Sequence, residues 1–72
     1  MFKVGDIIVW KGINVGKFDF VAMIMEHSEF NDFIIKPLSP KFIKELDSAP
    51  NLQTRDGMIR MPIRSNEWEV LV

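Results

Sequence analysis

The 72-residue sequence predicts a mainly β domain: a small five-stranded barrel with one short helix inserted between strands 3 and 4. Three observations lead there. Short runs rich in β-branched and aromatic residues recur along the chain, separated by turns containing Gly, Pro and Asn. The central stretch from Phe20 to Leu38 joins two such runs through a polar turn, and its first arm is apolar without alternation, as for a strand covered on both faces. Hydrophobic residues make up 47% of the chain and cysteine is absent, so stability rests on packing alone. Closing the sheet removes exposed strand edges, which a chain this apolar needs.

Taken in order, Gly5-Asp6 is a turn dipeptide set before a first strand, Ile7-Ile8-Val9-Trp10. Lys11 to Lys17 contains Gly12, Asn14 and Gly16, which is loop chemistry. Phe20-Val21-Ala22-Met23-Ile24-Met25 and Phe33-Ile34-Ile35 are the arms of a hairpin turned by Ser28-Glu29-Phe30-Asn31-Asp32. Ser39-Pro40 is a helix start, with serine at the N-cap and proline at the first helical position. Phe42, Ile43, Leu46 and Ala49 share a helical face, and Pro50 disfavours helix at Ala49, so one helix is expected over about 40–48. A loop to Arg55 and an Asp56-Gly57 turn follow. Met58 to Ile63 alternates, with Ile59, Met61 and Ile63 on one side, and Pro62 marks an edge or an end. Arg64-Ser65-Asn66 turns into a last strand, Glu67 to Val72, with Trp68 and Val70 inward and both glutamates outward.

Charge narrows the function classes. The net charge is −1, so no global basic signature for phosphate binding exists. Residues 1–18 carry +2, 19–34 carry −4, 35–50 carry +1, 51–64 carry +2 and 65–72 carry −2, which can give a two-faced surface. No apolar run reaches the ~20 residues that span a bilayer, and the N-terminus lacks a basic region followed by a hydrophobic one. A soluble cytoplasmic protein with no membrane partner is the expectation.

Val4-Gly5-Asp6-Ile7-Ile8-Val9-Trp10, followed by a glycine loop and a second apolar strand, resembles the opening of SH3-like small barrels, in particular KOW and Tudor-type modules. Met61-Pro62-Ile63-Arg64-Ser65-Asn66-Glu67-Trp68-Glu69-Val70 is similar to that fold's ending, in which a tight helical turn leads to a final strand beside the first. The chain departs from the pattern in three places. Phe20 stands where a KOW element has glycine, there is no tyrosine for proline-rich ligands, and the helix occupies the place of a tight hairpin. The resemblance therefore implies the barrel and a binding role rather than one functional family. The Lys-, Asn-, Phe- and Met-rich composition also resembles that of small phage-encoded proteins.

No catalytic constellation is legible. His27 is the only histidine; Glu26 beside it suggests an acid-base pair, but no nucleophile completes it, and a solvated turn histidine is the plainer reading. No metal-ligand or phosphate-loop spacing occurs, so no cofactor is expected. Two binding readings remain. The preferred one is a small protein–protein interaction or regulatory subunit using Phe18, Phe30, Met58 and Met61, since six Phe, two Trp and five Met are hard to bury in so short a chain. Self-association through such a patch is a variant of that reading. The alternative is a KOW-like nucleic-acid-binding or transcription/translation-associated module, with Trp10, Lys11, Lys17, Phe18 and Phe20 as a basic aromatic platform and Arg55, Arg60 and Arg64 as phosphate contacts.

Overall fold

The computed structural model describes residues 2–12, 15–28, 32–49, 51 and 57–71. Strands β1 (Ile7–Trp10), β2 (Val21–His27), β3 (Phe33–Pro37), β4 (Ile59–Met61) and β5 (Trp68–Val70) form one antiparallel sheet in the order β4-β3-β2-β1-β5. Helix α1 (Pro40–Asp47) stands between β3 and β4 in the chain. The mainly β class, the five strands and the helix position agree with expectation. Closure into a barrel is not shown: the described strands form an open sheet, with β4 and β5 as its two edges. Both edges are three residues long, and Pro62 removes a donor directly after β4, so neither edge offers a ladder long enough to shut the seam.

The register fixes which backbone groups face where. Ile24 N–H donates to Asp6 C=O and Trp10 N–H to Phe20 C=O, whereas Lys11 N–H donates to Glu67 C=O and Leu71 N–H to Ile7 C=O. Even-numbered residues of β1 therefore bond to β2 and odd-numbered ones to β5. On β5, Glu67, Glu69 and Leu71 turn their backbone toward β1. Trp68 C=O and both backbone groups of Val70 are directed to the open side, while Trp68 N–H donates to Arg64 C=O in the preceding turn.

One face of the sheet carries the core. Ile8, Ala22, Ile24, Phe33, Ile35 and Trp68 are buried there with Ile63 and with Phe42 from α1. The apolar run of β2 does alternate in burial: Ala22 and Ile24 are fully enclosed, and Val21, Met23 and Met25 are half-buried on the other face. A bulge between Ile24 and Glu26 shifts the pairing so that Ile24 opposes Ile35 and His27 opposes Phe33. Gly5, at φ 94°, supplies the left-handed turn residue before β1.

Ser39 precedes α1, and its C=O accepts the first helical bond, from Ile43 N–H at 3.0 Å. Its side chain does not cap the helix, in contrast to the expectation. Instead Ser39 Oγ donates to Asp19 C=O at 2.7 Å and accepts from Val21 N–H at 3.1 Å, while Leu38 N–H donates to Val21 C=O at 2.7 Å. The serine thus sews the helix entry onto the start of β2. The helix buries Phe42 and Leu46, one turn apart; Ile43 is 44% exposed, so it lies off the packed face. Val70, expected inward, is likewise exposed because it lies at the open edge.

Replacing the buried Ser39 by Ala leaves a donor and an acceptor of the β2 entry without their partner. Ser39→Ala is expected to lower unfolding free energy by about 2 kcal/mol, read as a fall in the urea midpoint at unchanged slope. Ile43→Ala, on the exposed face, is expected to change it by no more than about 0.5 kcal/mol.

Candidate functional site: an aromatic groove between the sheet edges

Four aromatic side chains from four parts of the chain form a continuous ladder. Trp10 ends β1, Phe20 precedes β2, Phe42 comes from α1 and Trp68 opens β5. Trp10 and Phe20 meet edge-to-face at 5.5 Å, Phe20 and Phe42 edge-to-face at 5.5 Å, and Phe42 and Trp68 at 6.3 Å with a tilt of 32°. With Ile59 and Met61 of β4 and with Glu67, these rings line a groove of about 410 Å³. Its walls thus come from both edges of the sheet. Phe42 (9% exposed) and Trp68 (4% exposed) are its floor, and Trp10, Phe20, Ile59, Met61 and Glu67 are half-buried around them.

Gly12 is required by this arrangement. Its backbone lies against the Trp10 indole so closely that a Cβ at position 12 would collide with the six-membered ring. The indole is therefore held between Gly12 and Phe20, which fixes one wall of the groove.

Among the described residues Glu67 is the one charged residue in the lining, and the Arg64 guanidinium stands 3.7 Å from its carboxylate. At the other end the Lys41 ammonium lies 5.8 Å from the Phe20 ring centre and 3.3 Å from the Asp19 carboxylate. Asp19 also accepts from Gly16 N–H at 2.7 Å. The Gly16 N–H first, and Lys41 second, hold the Asp19 carboxyl below its ordinary value.

The structure distributes the sequence-predicted residues unevenly. Trp10 and Met61 line the groove. Met58 is half-buried outside the lining, and Phe18 is 55% exposed, with the Lys17 ammonium 5.4 Å from its ring centre. Phe30 and Arg55 lie outside the described residues. Of the expected phosphate contacts, Arg60 is engaged by Asp32 at 3.4 Å and by Ser28 Oγ at 2.7 Å, and Arg64 stands by Glu67. Lys11 and Lys17 are exposed, and among the described residues of this set no cation lines the groove. Glu26 and His27 are consecutive on β2 and so point to opposite faces; His27 instead stacks on Phe33 at 4.7 Å. Among the described residues no three His, Cys, Asp or Glu side chains are grouped to hold a metal, and no helix is long and apolar enough to cross a membrane.

By sequence Phe42 falls on a helical face, Trp68 inward and Glu67 outward, and none of these, nor Ile59, stands among the expected site residues. The available signal was Trp10-x-Gly12: a glycine two residues beyond a strand-ending tryptophan marks backbone passing over the ring. Comparison with protein-family models, with curated proteins and with solved structures found no match.

Gly12→Ala is expected to displace the Trp10 indole, costing about 1–3 kcal/mol and altering the near-UV circular dichroism. Because the folded-state pKa of Asp19 is depressed, its contribution is present above the unfolded-state value and lost as pH falls through the folded one. The stability gap between the parent and Asp19→Asn, measured by denaturation across pH, is therefore expected at pH 7 and should narrow as pH falls below the unfolded-state carboxylate value of about 3.9.

Proposed function

We propose that this protein is a non-catalytic binding module, an SH3-like small barrel left open along one seam, whose aromatic groove receives an apolar side chain of a partner protein. The observation that carries this reading is the groove itself: the four aromatic rings of the ladder and Met61 meet around an apolar space between two strand edges. Its volume of about 410 Å³ falls in the range of small-ligand and side-chain pockets. Rings with few rotatable bonds, beside an adaptable methionine, are the composition of interface hot spots. A small interaction or regulatory subunit is the role such a surface suits.

The charges favour protein over nucleic acid as partner. Arg60, Arg64 and Lys41 are each beside a carboxylate, and the chain as a whole is acidic. A surface of that kind has few counterions to release from a phosphate backbone.

Peptides selected from a random displayed library are the probe. Their complexes are expected to shift the NMR signals of Trp10, Met61 and Trp68. Affinity should fall at least about tenfold in Trp10→Ala or Met61→Ala and change little between low and high salt. Single-stranded RNA binding that weakens by about 10³ or more over a modest rise in salt, and is lost in Arg60→Ala plus Arg64→Ala, would replace this reading with the nucleic-acid one.

A further inference from the structure

Two features of β5 coincide at the groove. The register directs Trp68 C=O and the N–H and C=O of Val70 to the open side of the sheet, away from β1. The Trp68 side chain forms the groove floor directly beside that edge, and the facing wall is Ile59 and Met61 on β4, the other edge. A strand laid along β5 therefore has backbone partners and a place for its inward side chains at the same position. Strand side chains alternate, so one apolar residue of such a segment enters the groove while its neighbours project outward or along the rim.

The charge around this edge selects among such segments. Glu67 lines the groove at the start of β5, and Glu69 is exposed on the strand itself. These two glutamates are the whole of the −2 carried by residues 65–72. Arg64, 3.7 Å from Glu67, is well exposed and can be displaced by a second cation. We infer that the groove takes an extended peptide segment, alternating apolar with Lys or Arg residues, which adds as a strand to the open edge of β5. It seats an apolar side chain over Trp68 and brings its cations to Glu67 and Glu69. This rests on the groove being the binding site and adds the mode and the chemistry of the partner.

The probe is a synthetic six-residue peptide, Lys-Val-Lys-Leu-Lys-Val, titrated into the labelled full chain. Four peptides are compared: the parent, a version with every Lys replaced by Glu, and two versions methylated on alternate backbone nitrogens, one in each register. The parent peptide is expected to shift Trp68, Met61 and Val70 signals and to slow hydrogen exchange at the Val70 amide. The glutamate peptide should bind at least about tenfold more weakly, as should the methylated peptide when its blocked nitrogens face β5. Val70→Pro deletes the edge donor while the β5–β1 bonds through Glu69 and Leu71 remain, and is expected to weaken the parent peptide similarly. Equal binding by both methylated registers, with groove residues still shifting, would overturn strand addition and leave the groove reading intact. Absence of any shift at Trp10, Met61 and Trp68 with all four peptides would overturn both. Concentration-dependent dimerisation of the chain without peptide, with protection at Val70, would give the edge to a second copy and overturn the proposal.

Discussion

The Phe42 ring is where the two halves of this small fold are joined. It lies 5.5 Å from Phe20 and 6.3 Å from Trp68, so one helical side chain touches both the entry of β2 and the first residue of β5. Truncating a buried phenylalanine costs roughly 3–5 kcal/mol, a large part of the stability of any domain of this size. The Ser39 hydroxyl, with the Leu38 N–H, fixes the helix entry to the backbone of Asp19 and Val21 and so helps to set where the ring is delivered. A polar side chain spent on tertiary stapling, and not on capping, thereby determines where the apolar ladder runs.

That ladder explains how an open sheet of apolar residues remains a defined object. The gap between β4 and β5 has a floor of packed rings, so the two edges of the described sheet flank a shaped groove and not an extended flat surface. The edges carry their own protection against indiscriminate pairing: both are short, Pro62 follows one, and Glu69 sits in the other. Short, charged edges suit a selective strand acceptor, because a partner must satisfy both the side-chain pocket and the local negative charge.

Much of this was legible in the residues. Turn chemistry at Gly5-Asp6 and Ser39-Pro40 and the runs at β1, β2 and β3 located the elements within one or two residues. The helix ended at Asp47, with Ser48 as its C-cap, close to the expected bound. What composition did not reveal is long-range. The bulge at Met25 depends on how β2 meets β3, and no local signal announces it. Ile43 fits the helical face by spacing but lies outside the packed side of α1, where only Phe42 and Leu46 are buried. The open seam follows from edge lengths, which alternating patterns overstate: Met58 to Ile63 alternates throughout, yet only Ile59–Met61 is paired. The site was missed in part because its members are spread from Trp10 to Trp68 and read individually as core.

The central claim is that residues of both sheet edges face one shared apolar space. Intermolecular NOE spectroscopy with a small aromatic probe such as p-cresol tests it most directly. The account predicts that one bound probe gives simultaneous contacts to the Met61 and Ile59 methyls and to the Trp68 indole. Contacts confined to exposed Phe18 or Ile43, or contacts to Trp68 with none to β4, would contradict it.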